Sequence, residues 1–351
     1  MSKAAELAAL IGSGQAQGDR NLIINGAMNV AQRGSVASAT NGTYGGADRF
    51  VLGETGDLVA TLSQDTDVPT GSGFLNSMKV DVTTADSSLA AGDLAYLAQR
   101  FEGQNLQRLK KGTSSAESVT LSFWVKSTIT GTYIIGFYDN DNNRQISKSY
   151  TVSSADTWEH KTLTFAGDTT GAFGDDTGYS LQIAWWLAAG STYTSGTLAT
   201  SWASFSSANT AVGQVNAVNS ASNNFYITGV QMEVGDVATP FEHEDYTTTL
   251  AKCRRYFIRY YGNDSPNFPR WFNPAYANDC YMGGNFSFPV QMRATPSVSA
   301  SVTYQNSDGL GTGDVSREGV NLYVLSTGAA TISGAYITNN SSDHVTVDAE
   351  L

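Results

Sequence analysis

The sequence predicts an all-β protein: an antiparallel β-sandwich, then a smaller C-terminal β-domain, with one short α-helix in front. Three observations lead there. Charged residues make up only 15% of the 351, against about 25% in ordinary globular chains, while Ser, Thr, Gly and Asn are spread along the whole length. Short runs of alternating apolar and polar residues recur between turn-forming clusters, the pattern of half-buried strands. No internal repeat of 20 to 50 residues is visible, which disfavours a solenoid or a propeller.

In order along the chain, KAAELAALI (3–11) places Ala4, Leu7, Ala8 and Ile11 at helical spacing, and GSGQAQG stops the helix. About ten residues are only marginally helical alone in water, so this stripe wants a partner, either other copies of itself or a docking protein. Leu7, Leu10 and Ile11 are its candidate contact residues.

From Asn21 to about Phe241 the strands are LVATLSQ (58–64), MKVDV (78–82), SVTLSFWVKS (118–127), TYIIGFY (132–138), KTLTFAG (161–167), YSLQIAWWLA (179–188) and FYITGVQMEV (225–234). The long Ser/Ala/Asn stretch 199–224 has no periodicity and reads as surface loop. Pro240 closes the region. Asp245 then caps a short helix with Thr247 to Thr249 in its first turn and Leu250, Cys253 and Phe257 on one face. Alternating runs resume to Leu351. The expected division is 1–18 for the helix, 19–245 for the sandwich, and 246–351 for the connecting helix and second β-domain.

Charge and cysteine content narrow the function classes. A net charge of −12 with only 20 Lys and Arg cannot neutralise a phosphate backbone and disfavours anionic membranes, so neither nucleic acid nor membrane insertion is expected. There is no run of about 18 apolar residues and no secretory signal at the start, so the expectation is a soluble chain not exported by that route. Cys253 and Cys280 are too few for a disulfide framework and lack the paired spacing of zinc ligands; two reduced thiols are expected, with a single bridge as the alternative.

Specific catalytic signatures are missing. None of His160, His243 and His344 sits in a triad-like setting, and no nucleophile elbow, zinc-protease, phosphate-loop or dinucleotide motif occurs. YDNDNNRQ spaces Asp139, Asp141 and Asn143 like a calcium loop, but Arg144 stands where Gly is needed and Tyr150 where Glu is needed, so a polar hairpin turn is expected. GDTTGAFGDDTG (167–178) offers Asp168, Asp175 and Asp176, which could hold structural calcium or, through Asp175 or Asp176, cleave a glycosidic bond; turns are the plainer reading. No other cofactor is expected. The acidic run Glu242, His243, Glu244, Asp245 reads as joinery between the last strand and the helix.

The aromatics, 6 Trp, 17 Tyr and 15 Phe, say more. In YSLQIAWWLA, Leu181, Ile183, Trp185 and Leu187 share one face, so Trp186 and Gln182 share the other. Trp124 likewise lies opposite its strand's aliphatic face. Such outward rings can stack on a sugar, with neighbouring amides supplying hydrogen bonds, or can pack against another subunit or a loop. Trp124, Trp186 and Gln182 are the candidate glycan contacts.

Several separated segments resemble the tail-fibre-like virion proteins of tailed bacteriophages. DRNLIINGAMNVAQRG (19–34) and GTYGGADRFVLG (42–53) look like their opening. YLAQRFEGQNLQRL (96–109), VTLSFWVKS and GTYIIGFYD look like the interior of the same module, a jelly-roll sandwich similar to carbohydrate-binding modules. ITGVQMEVGDVATPFEHEDYTTTLAKCRRYF (227–257) looks like its exit, and NFSFPVQMRATPSVS (285–299) with VDAEL like the appended C-terminal domain. The resemblance implies a non-enzymatic virion protein made in the host cytoplasm. It also implies a homotrimer on a tail fibre or similar appendage, attached to other virion proteins through its N-terminus and touching bacterial surface polysaccharide for adsorption. A glycan-cleaving depolymerase and a purely structural connector are the alternatives. The motifs carry no catalytic residues.

Overall fold

A computed structural model describes residues 19–261, 282–301, 304–305, 309–325, 336–337 and 344–351. The expected N-terminal helix with Leu7, Leu10 and Ile11 lies outside them, as does Cys280; Cys253 is fully buried. The chain forms two compact units, Met1–Thr249 with Leu351, and Leu250–Glu350. That division falls inside the helix Tyr246–Arg254, slightly past the boundary drawn at 245.

The first unit is a jelly-roll sandwich of two antiparallel sheets. One sheet orders β1 (Val36–Ala39), β4 (Val59–Asp65), β5 (Ser77–Thr84), β13 (Asn224–Val234), β7 (Val119–Ser127) and β10 (Glu159–Phe165). The other orders β12 (Ala203–Ser204), β9 (Arg144–Val152), β8 (Gly131–Asp139), β11 (Tyr179–Ala189), β6 (Leu94–Glu102), β3 (Val51–Thr55) and β2 (Thr43–Tyr44). Alternation decides what each strand buries. Leu121, Phe123 and Val125 of β7 meet Leu181, Ile183 and Trp185 of β11 in one core, with the Phe123 and Trp185 rings edge to face at 5.9 Å.

The asparagine-rich opening holds this unit together. Asn21 donates to Val230 O and accepts from the Ile23 and Met232 N–H groups. Asn25 donates to Val30 O and Asp48 O and accepts from Val30 N–H. Gln32 donates to both oxygens of Asp48. Burial pushes the Asp48 carboxyl above its ordinary value, against the lowering effect of Gln32. These side chains replace ladder hydrogen bonds where the backbone is irregular.

The exit stretch clasps the entry. The Glu242 carboxylate accepts backbone N–H groups from Asp19, Arg20 and Asn21 at 2.9, 2.7 and 2.9 Å, and His243 packs on Phe74 and Phe241. Asp245 accepts from Thr247 and Thr248 N–H, and these bonds hold its carboxyl below the ordinary range. Phe257 is not on the helix: it opens β14 (Phe257–Tyr261), pairing with Asp348.

The second unit places β14 and β16 (Ser297–Ser301) on either side of β21 (His344–Asp348). A second three-stranded sheet orders β15 (Met282–Ser287), β19 (Gly319–Leu325) and β18 (Gly309–Gly313). Ile258, Met292, Leu322 and Val347 lie in its core. Among the described residues, no helix is long and apolar enough to cross a membrane.

One expectation is corrected, and the calcium alternative for the acidic loop is set aside. The stretch 199–224 is not simply surface loop: Ala211, Ala217 and Val218 are buried, and its backbone is satisfied by bonds such as Val215 N–H to Thr132 O and Ala217 N–H to Leu187 O. The acidic loop is not a calcium site. Lys111 Nζ lies 2.5 Å from Asp139 and 3.1 Å from Asp168, and Arg144 holds Asp168 through two hydrogen bonds, 2.7 and 3.1 Å. Asp141 accepts from Gly174 N–H and Asp176 from Gly178 N–H. Protein cations and turn amides fill the positions a metal would need, and no described group of three or more His, Cys, Asp or Glu side chains could hold one.

Candidate glycan-binding cleft

The outer face of the seven-stranded sheet is organised in three rows by strand register. The first row runs Gln145, Tyr138, Gln182, Arg100 across β9, β8, β11 and β6. Two residues along, the second is Ser147, Gly136, Ala184, Ala98. Two further on, the third brings Trp186 of β11, Tyr96 of β6 and Gly53 of β3 together. A polar row and an aromatic row therefore flank a row of small residues. The result is a cleft of about 260 Å³.

Glycine lets the rings lie close to the sheet. A Cβ on Gly53 would stand 2.3 Å from the Tyr96 ring, and one on Gly136 would stand 3.1 Å from Trp186 Nε1. Trp186 is consequently the floor, 5% exposed, with Tyr96 and Tyr193 rings at 5.4 and 5.6 Å. Tyr193 comes from the helical turn Ser191–Thr194.

The far wall comes from the Ser/Ala/Asn stretch. Its short strand β12 pairs with β9. Gln145 donates to Ser206 O and accepts from the Thr210 hydroxyl, and Ser147 donates to Thr210 O. This fixes Phe205, 37% exposed, edge-on to Tyr138 at 5.1 Å.

The cleft's hydrogen-bonding inventory is lopsided. Arg100 can only donate, so its 3.0 Å bond to Gln182 fixes the Gln182 amide with oxygen toward Arg100 and its NH₂ left over. A second Arg100 bond goes to the backbone oxygen of Leu351, and its guanidinium lies 5.3 Å from the centre of the Tyr179 ring. Burial pushes the Tyr179 hydroxyl far above the ordinary tyrosine value despite Arg100, so it stays protonated. Trp186 Nε1 is buried without a hydrogen-bond partner. No carboxylate lines the cleft.

Of the three residues expected to touch glycan, Trp186 and Gln182 line this cleft, and Trp124 does not. Trp124 is on the outer face of the other sheet, paired across strands with His160 at 5.1 Å between rings. Burial lowers the His160 pKa. Asp175 and Asp176 are exposed and are not among the lining residues. Sequence reasoning missed Tyr96, Arg100, Tyr138, Tyr179, Tyr193 and Phe205; the alternation in LAYLAQR and YIIGFY carries the signal for three of them.

No protein-family model matches the chain, and no curated protein matches it in sequence. Among solved structures it is similar to the enzymatically active domain of tailspike protein 4 from bacteriophage CBA120, at 18% identity and a TM-score of 0.34 over 61% of this chain. The match spans 21% of that tailspike chain. It is also similar to a family 61 carbohydrate-binding module in complex with β-1,4-galactotriose, at 10% identity and a TM-score of 0.31, over 62% of this chain and 99% of the module. A third is the family 11 carbohydrate-binding module of a Clostridium thermocellum cellulase, at 12% identity and a TM-score of 0.29, over 60% of this chain and 98% of that one.

Proposed function

We propose that the sandwich unit binds a glycan chain in the cleft on its seven-stranded sheet, without cleaving it. The observation that carries this reading is the three-row face: aromatic and polar side chains flank a trough of small residues, with the leftover Gln182 NH₂ and one exposed ring at its lip. Aromatic surface for the apolar face of a sugar and fixed polar groups for its substituents are what a sugar site requires.

The setting of this activity is the virion of a tailed bacteriophage, on a tail fibre or similar appendage, as a homotrimer attached through the N-terminal segment. Support for the setting is the sequence resemblance in residues 19–34, 42–53, 96–109, 119–127, 131–139, 227–257 and 285–299, with the closing VDAEL. Several copies on one particle would multiply weak single-site binding to bacterial surface polysaccharide.

The purified protein on an array of bacterial surface glycans is expected to be retained by at least one and to release no new reducing ends from it. New reducing ends would favour the depolymerase reading. No retention, with firm attachment to particles, would favour a connector.

A further inference from the structure

We infer that this cleft reads a glycan by its end, taking a terminal sugar of the main chain or of a side branch and not the interior of a polymer. The inference rests on the glycan-binding reading above and adds which part of the glycan is recognised. A polymer laid through a groove needs two open exits. This cleft is closed at both of its cross-strand ends.

At the β9 end the closure runs over all three rows. Gln145 heads the first row and is tied to Ser206 O and the Thr210 hydroxyl. Ser147 heads the second and donates to Thr210 O. Beside the third, Ile134 shares an apolar cluster with Trp186 and Ala211, and its N–H donates to Gln214 Oε1 at 2.8 Å. The Ala211 N–H donates to Tyr193 O, which joins this wall to the helical turn. Gln145, Ser147, Ile134 and Ala211 are all fully buried, so no row continues past the wall.

At the β6 end the trough stops short. Ala184 lines the cleft, but its second-row neighbour Ala98 is fully buried and does not. Val51, paired with Ala98, is buried too, and Tyr44 and Tyr96 pack against the cluster that holds both. The open trough therefore runs from β8 to β6, two strand spacings or about 10 Å, the length of about two linked sugar rings. Tyr138, Gln182 and Arg100 bound it on one side and Tyr96 and Tyr193 on the other, so the way in is from above. A volume of about 260 Å³ lies below the about 300–1,000 Å³ of pockets that enclose whole small ligands. Such a space suits a short terminus.

The test titrates the full chain with size-fractionated fragments, one to six sugar residues long, of Gram-negative O-polysaccharides and of capsular polysaccharides. For at least one of them, affinity is expected to reach its full value by two residues and to change by no more than about threefold from two to six. A gain of about tenfold or more over the same range would mean a chain laid through the cleft. That result overturns this inference and leaves glycan binding standing. Removing the side branches from the parent polysaccharide tells the two kinds of end apart: retention is lost where a branch is read and kept where the main-chain end is read. Binding of no fragment and no parent polysaccharide, by a protein whose melting is normal, overturns the glycan reading itself.

Discussion

Both outer faces of the sandwich carry tryptophan, tyrosine and a cation, yet only one is left with open chemistry. On the six-stranded sheet Lys126 pairs with Asp67 and lies over the Tyr226 ring at 4.3 Å. Trp158 donates to Asp67 at 2.9 Å, Lys79 pairs with Asp81 at 3.6 Å, and Trp124 meets His160. The cations and the Trp158 N–H are answered within the face. On the seven-stranded sheet Arg100 is held by Gln182 and Leu351, while the Gln182 NH₂ is left over beside a row of Ser, Gly and Ala. Aromatic content does not distinguish the proposed site from the opposite face; the small middle row and the leftover Gln182 NH₂ do.

The largest expected differences come from substitutions of the same type on the two faces. Trp186→Ala removes the cleft floor and is expected to cost about 3–5 kcal/mol in denaturant unfolding, as for other buried large-to-small changes, and to abolish glycan retention. Trp124→Ala on its half-buried face is expected to cost about 1 kcal/mol and leave retention intact.

Lysines give a parallel contrast. Lys111→Met leaves the buried Asp139 carboxylate without its cation and Asp168 with Arg144 alone, and is expected to cost about 3–5 kcal/mol. Lys126→Met leaves behind an Asp67 side chain that is 45% exposed, so about 1 kcal/mol is expected. Acid should reach the buried cluster. Burial opposes ionisation of Asp168, but Arg144, the Thr170 N–H and Lys111 outweigh it and hold the carboxyl below the ordinary 3.8. Its contribution is therefore complete above pH 3.8 and is lost as pH falls through the lower folded value. Unfolding curves between pH 5 and about pH 2 are expected to show this loss in the native protein and a smaller one in Arg144→Met.

A smaller effect is expected from Gly136→Ala, whose methyl presses on the Trp186 indole. About 1–3 kcal/mol and a weakened glycan affinity are expected, read by the same two measurements.

Much of this was legible in the chain itself. Alternation in YSLQIAWWLA put Trp185 in the core and Trp186 with Gln182 outside, and the seven expected strands of the sandwich all form. The edge of the reading is register. That Arg100, Gln182 and Tyr138 stand in one row depends on how β6, β8 and β11 slide past one another, which no single strand encodes. β9 escaped notice because Lys148 interrupts the apolar set Ile146, Tyr150, Val152. The 199–224 stretch looked like loop because its order comes from Gln145, Ser147 and backbone partners far away in sequence. The joinery role of Glu242 was visible from its place between strand and helix; that it clasps the backbone of Asp19 to Asn21 was not.

The central claim, that glycan is read by the face carrying the trough, is tested most directly at Phe205 and Trp124. Phe205 is an exposed ring at the lip whose loss should barely alter melting. In a retention assay on a bound bacterial polysaccharide, Phe205→Ala is expected to lose about tenfold in affinity, in keeping with about 1–2 kcal/mol for a ring stacked at an interface, while Trp124→Ala matches the native protein. Loss of affinity in Trp124→Ala with Phe205→Ala unchanged would contradict the account and move the site to the opposite face.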